Sequence, residues 1–103
     1  MIVYEVNLEV QRVVYDAFRS WLTEHIRTII ALPGFAGAEL FECAEAAVAD
    51  AQIRLCVQYR LVDHSALERY LREDAPRLRA EGERRFGGKF SGRRRMLRSL
   101  PID

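Results

Sequence analysis

Gln52-Ile-Arg-Leu-Cys-Val-Gln-Tyr-Arg-Leu-Val62 alternates apolar and polar residues: Ile53, Leu55, Val57, Tyr59 and Leu61 against Arg54, Cys56, Gln58 and Arg60. Successive strand side chains point to opposite faces, so this segment reads as a strand with one apolar and one polar face. Its backbone groups need a partner. Residues 39–51 are rich in alanine and glutamate, which favours a helix locally. Yet Gly37-Ala-Glu-Leu-Phe-Glu-Cys43 can supply a neighbouring strand, joined by a loop at about residues 46–51. The segment is read as a hairpin, although no Asn-Gly pair fixes its turn. That choice decides the fold.

Toward the N-terminus, Ile2-Val-Tyr-Glu-Val-Asn-Leu-Glu-Val10 alternates just as cleanly. Ile2, Tyr4, Val6, Leu8 and Val10 share one side, with Val3, Glu5, Asn7 and Glu9 on the other. From about residue 12 to 32 the period lengthens. Val14, Phe18, Trp21, Leu22, His25, Ile26 and Ile29 recur at three- and four-residue steps, which predicts one face of a helix. Pro33-Gly34 stops it. Beyond the hairpin, Asp63-His-Ser65 reads as a helix start, with Ser65 and Glu68 spaced as a capping box. Leu67, Tyr70, Leu71 and Leu78 carry its apolar face. Pro76 predicts a bend or restart, with Asp74 as a second cap, and Phe86-Gly87-Gly88 an end. Residues 89–99 alternate poorly and are rich in arginine, as suits an edge strand.

The order β-α-β-β-α-β predicts an α+β fold: a ferredoxin-like antiparallel sheet with two helical layers on one face. The 103 residues suffice for a single domain over residues 1–103. The face left uncovered carries Val3, Glu5, Asn7, Glu9, Arg54, Cys56, Gln58 and Arg60, acids on the first strand and bases on the third. Such a face meets either water or the same face of a second copy about a two-fold axis. In the second case Glu5, Arg54, Gln58 and Arg60 form the dimer face, as an ionic network fixing its register or, alternatively, as an anion site inside the barrel.

Composition narrows the partners. Half the residues are apolar and 30% are charged, an ordinary balance for a folded chain. No apolar run approaches the roughly 20 residues of a membrane span. The start lacks a basic segment followed by an apolar run, so the cytoplasm is the expected address. The net charge of +1 is unevenly placed, with residues 1–51 at −5 and residues 52–103 at +6. A dipolar chain can pair its own halves or a second copy, and a membrane is not an expected partner. Cys43 and Cys56 read as reduced, buried, small apolar residues, and with His25 and His64 they show no metal-ligand spacing. No metal and no cofactor are expected.

Met1-Ile-Val-Tyr-Glu-Val-Asn-Leu8, Trp21-Leu22-x-x-His25-Ile26 and Leu32-Pro33-Gly34-Phe35 resemble a small bacterial family, a domain of unknown function. Val57-Gln-Tyr-Arg-Leu61, Tyr70-Leu71, Ala75-Pro76-x-Leu78-Arg79 and Arg85-Phe86-Gly87 continue the pattern over nearly the whole chain. The resemblance implies the dimeric α/β-barrel superfamily, in which two ferredoxin-like subunits face each other through their sheets. That superfamily includes cofactor-independent monooxygenases, haem-degrading enzymes, isomerases and ligand binders, so the fold alone selects no reaction.

His25 is the candidate catalytic residue. It follows Trp21 by four positions, and Tyr4 and Tyr59 lie on the sheet side facing that helix. Together, Tyr4, Trp21, His25 and Tyr59 form a candidate crevice for an aromatic or carbonyl compound, with His25 as general base. The structural alternative is a hydrogen-bonded histidine among core aromatics. Arg84, Arg85, Lys89, Arg93, Arg94, Arg95 and Arg98 place seven positive charges within fifteen residues. Without a nucleic-acid motif they read as solvated or intersubunit charge, and nucleic acid is not an expected partner. The leading reading is a homodimeric α/β-barrel protein with a small-molecule crevice between the first helix and the sheet. The alternatives are a cofactor-independent monooxygenase or isomerase-like enzyme, and an interaction module using the arginine-rich C-terminal segment.

Overall fold

The computed structural model describes residues 1–45 and 52–103. Strand β1 (Ile2–Gln11) runs through a single 3₁₀ turn (Arg12–Val14) into helix α1 (Tyr15–Ile30), followed by strands β2 (Phe35–Glu42) and β3 (Gln52–Leu61). Helices α2 (His64–Glu73) and α3 (Ala75–Phe86) and strand β4 (Phe90–Arg98) complete the chain. The four strands form one antiparallel sheet in the order β2-β3-β1-β4. This is the ferredoxin-like arrangement, with β4 and β2 at the edges. The proposed loop at residues 46–51 lies outside the described residues. Residues 39–42 are strand, not helix, because pairing with β3 outweighs the helix propensity of Glu39, Leu40 and Glu42.

The two alternating strands pair in register over their full length, Tyr4 opposite Tyr59 and Val6 opposite Val57. Their apolar sides together make the floor of the core. Ile2, Tyr4, Val6, Leu8 and Val10 are buried there with Leu55, Val57, Tyr59 and Leu61. The helices cover that floor with Phe18, Leu22 and Ile29 from α1, Leu67 and Tyr70 from α2, and Leu78 and Phe86 from α3. Removing side chains of this size from water contributes about 1.5–3 kcal/mol each.

Local details refine the sequence expectations. Val14 belongs to the 3₁₀ turn, and α1 proper starts at Tyr15. After α1, Gly34 adopts φ +86°, and a Cβ there would collide with Ala66 of α2, so only glycine fits this turn. The cap of α2 is Asp63, whose Oδ1 accepts from the Ala66 amide at 2.9 Å; the Ser65–Glu68 capping box does not form, because the helix has already begun at His64. Pro76 falls in the first turn of α3 and splits the second helical stretch in two. Asp74 sits at the junction, but its side chain bonds Arg77 at 2.9 Å and not the helix backbone. Cys43 is exposed and Cys56 half-buried, contrary to the reading of both as core thiols. Cys43 lies just past the end of β2 at the sheet edge, and Cys56 points to the uncovered face.

Candidate functional site

Alternation on β1 and β3 sends Tyr4 and Tyr59 toward the helices as a directly opposed pair, with ring centroids 6.0 Å apart. Tyr70, delivered by α2, meets Tyr4 edge-on at 5.9 Å. Four-residue spacing on α1 stacks His25 on Trp21, with centroids 4.5 Å apart and planes 24° from parallel. Phe18 anchors this end of the helix against Phe86 and Phe90, at 5.2 and 5.0 Å. Between these groups lies a cavity of about 260 Å³, bounded by α1, α3 and the sheet. Tyr4, Trp21, His25 and Tyr59, the four residues marked from sequence, all line it.

Two glycines in the cavity lining let neighbouring side chains pack closely against the backbone. At Gly82 on α3, a Cβ would stand 2.8 Å from the Trp21 ring; at Gly92 on β4, 3.3 Å from Leu8. The α3 stripe that carries Gly82 also brings Arg79 and Glu83 to the cavity, and β4 adds Arg94. Arg79 Nη2 donates to the Tyr4 hydroxyl at 2.6 Å. Among the described residues, the His25 ring and the Tyr59 and Tyr70 hydroxyls form no hydrogen bond with another protein group. Among the described residues no fully buried side-chain nitrogen or oxygen lacks a partner, so these unbonded atoms are accessible to a guest or to water.

Burial is the main cause that lowers the His25 pKa to about 4; Arg94 pushes the same way and Glu81 opposes. The ring is therefore neutral at pH 7. Burial raises the Tyr70 phenol to about 12 and raises Tyr59 further still, so both remain protonated hydrogen-bond donors. A second hollow, of about 540 Å³, lies on the outer side of α1 and α3 beside Ser20, Glu24, Thr28 and Arg77. Trp21 and His25 line both spaces, so the stacked pair is the wall between them.

The dimer-face candidates Glu5, Arg54, Gln58 and Arg60 sit on the opposite side of the sheet. Glu5 is 4% exposed there despite its charge. It accepts from Gln58 at 3.0 Å, Asn7 at 2.9 Å and Arg95 at 2.5 Å. These bonds, that from Arg95 foremost, hold its carboxyl at about 2 against the partial cost of burial. Thus the cation serving Glu5 comes from β4 and not from β3. Arg60 turns instead to Glu39 on β2, at 3.4 Å, through the space left by Gly37. Arg54 stands opposite Glu9 in the register. Burial and the neighbouring Glu5 push the Cys56 thiol up to about 11, which makes it a poor nucleophile.

Sequence reasoning did not bring Arg79, Glu83 or Gly92 to the site, and it read Arg94 as solvated or intersubunit charge within the arginine-rich run. Strand alternation divides that run, sending Arg94 to the cavity side and Arg93 and Arg95 to the open face. Among the described residues, no group of three or more His, Cys, Asp or Glu could hold a metal ion. No described helix is long and apolar enough to cross a membrane.

An antiparallel sheet covered by helices on one side, with a cavity between the layers, defines a ferredoxin-like α+β protein of the antibiotic biosynthesis monooxygenase type of fold. More particularly, the chain belongs to the family described as a domain of unknown function (DUF4286), whose model matches residues 1–100. A candidate antibiotic biosynthesis monooxygenase from Deinococcus radiodurans is similar in structure, with TM-score 0.77 and 8% identity over 100% of this chain and 96% of that one. SnoaB, a cofactor-independent oxygenase from Streptomyces nogalater, superposes with TM-score 0.67 and 17% identity over 98% and 95%. The de novo designed protein Foldit4 does so with TM-score 0.62 and 16% identity, covering 96% and 98%. At these identities the likeness is one of fold; an oxygenase and a designed protein share it equally. No curated protein matches the sequence.

Proposed function

We propose that this protein binds a planar aromatic small molecule in the cavity between α1, α3 and the sheet. The observation that carries this reading is the polar set inside an aromatic enclosure: His25, Tyr59 and Tyr70 present ring nitrogens and hydroxyls without hydrogen-bond partners among the described residues. Apolar walls with a few convergent polar groups are the usual make-up of a small-molecule site. Trp21 is the chain's single tryptophan and lies in the cavity wall, so ligand entry is read directly from its emission. Titration with planar aromatic compounds is expected to give a saturable change that is lost in Gly92→Leu, which fills the cavity from an edge strand. A flat emission response and an unchanged melting temperature across such compounds would contradict the reading.

The same reading takes the subunit as half of a cytoplasmic homodimer whose open sheet faces meet. That face carries Glu5, Glu9 and Glu39 together with Arg54, Arg60, Arg93 and Arg95, a self-complementary mixture that suits a two-fold contact. Phe41, 43% exposed, adds an apolar contact on the same side.

The enzymatic alternative, a cofactor-independent oxygenase or isomerase, uses His25 as base. Its supporting observation is that the ring is unprotonated at pH 7 beside the cavity. Against it, a base whose conjugate acid titrates near 4 is far from the value best matched to proton abstraction at neutral pH. Binding is therefore the reading the geometry supports best.

A further inference from the structure

The geometry points to a planar aromatic monoanion as the ligand, its charged group held by Arg79 and Arg94 and its ring held by the aromatic walls. This rests on the reading of the cavity as a ligand site and adds to it the chemical class of the guest.

Charge sets the class. The cavity is lined by two guanidinium groups, from Arg79 and Arg94, and by one carboxylate, from Glu83; His25 is neutral. The lining is thus left with one surplus positive charge. Among the described residues, neither arginine has a carboxylate within ion-pair distance, whereas Arg27, Arg60, Arg69, Arg72, Arg77 and Arg95 each have one. A guanidinium beside a partly enclosed space attracts an anion more strongly than the same group in open water.

Geometry then sets the orientation. The bond from Arg79 Nη2 to the Tyr4 hydroxyl fixes this guanidinium at the sheet floor and leaves the phenolic proton available to a second acceptor. Arg94 reaches the same space from the edge strand, across Gly92: a Cβ at residue 92 would lie 3.5 Å from its Nη1. Trp21 and Phe18 line the same space from α1, and the indole packs closely on Gly82 of α3. A flat ring between these walls, with its acidic group toward Arg79, Arg94 and Tyr4, satisfies both halves of the cavity. Glu83 weighs against a dianion such as a phosphate monoester, and the arginines weigh against a cation.

The test is calorimetric titration of the whole protein with 2-naphthoate and with its uncharged isostere 2-naphthamide. The expected result is that naphthoate binds at least about tenfold more tightly, the scale of one charge-assisted hydrogen bond. Arg94→Gln is expected to remove most of that advantage, weakening naphthoate far more than naphthamide. Arg93→Gln, the same loss of charge on the opposite side of the strand, is expected to preserve the preference. Equal affinity for the two probes, or an equal effect of the two substitutions, overturns the anion assignment while leaving the cavity as a binding site. If neither probe binds, the cavity reading falls with it. Thermal melts of both variants confirm that the edge strand remains folded.

Discussion

The imidazole of His25 lies flat against the indole of Trp21, with ring centroids 4.5 Å apart, and both rings form the partition between the inner cavity and the outer helical groove. A protonated imidazole quenches an indole it touches, so emission is expected to fall on acidification with a midpoint near the lowered value of about 4. The same shift bears on stability. The folded value lies below the ordinary 6.5, so the unfolded chain takes up the proton first. Stability is then lost as pH falls from about 6.5 to about 4 and changes no further below that on this account. Discounted for the partial exposure of the ring, the loss is on the order of 1–2 kcal/mol. His25→Phe keeps a ring on Trp21 and is expected to abolish both the emission midpoint and this share of the pH dependence in urea melts. An emission midpoint near 6.5 would show a solvated ring.

Glu5 makes a separate contribution at lower pH. Its carboxyl, held at about 2 by Arg95, Asn7 and Gln58, stabilises the fold above the ordinary 4.5, and that stabilisation is lost as pH falls through about 2. Glu5→Gln is expected to cost about 1 kcal/mol at pH 7, a modest figure because Arg95 is largely in water. The difference from the native chain should vanish near pH 2. A cost that persists there would indicate a packing effect instead of a charge effect.

The start of α2 gives a paired comparison. Asp63→Ala removes the side chain that caps the Ala66 amide and is expected to lower stability by about 1 kcal/mol. Ser65→Ala, at the position of the unformed capping box, is expected to be neutral or slightly stabilising in denaturant melts. The reverse order would restore the capping box.

For the assembly, sedimentation at micromolar concentration is expected to give twice the 11.9 kDa of the single chain. Phe41→Glu, on the open face and away from the cavity, should shift the protein toward the single-chain mass without altering ligand affinity. A native protein that sediments as one chain throughout would remove the dimer from the account.

Much of the fold was legible because β1 and β3 are regular and amphipathic; their alternation by itself puts Tyr4 and Tyr59 on the helix side. The four-residue step from Trp21 to His25 likewise announced a shared helix face. The hairpin required the tertiary argument that β3 needs a neighbour, since its own residues 39–42 favour helix. Side-chain pairing was harder to read. Glu5 is served by Arg95, ninety residues away in sequence, and which strand brings the cation depends on register as well as composition. The placement of Arg79 and Arg94 at the cavity was hidden for a related reason. A run of arginines has no visible sides until strand and helix geometry assign each one a face.

The most direct test of the binding claim is the ¹H–¹⁵N spectrum of the protein titrated with 2-naphthoate. The indole signal of Trp21 and the backbone amides of Gly82 and Gly92 mark three sides of the cavity. The expected result is saturable movement of these signals with one common affinity, while the side-chain amides of Asn7 and Gln58 on the opposite sheet face remain in place. Movement confined to Asn7 and Gln58, or no movement at any of these signals, would contradict a ligand between the helices and the sheet.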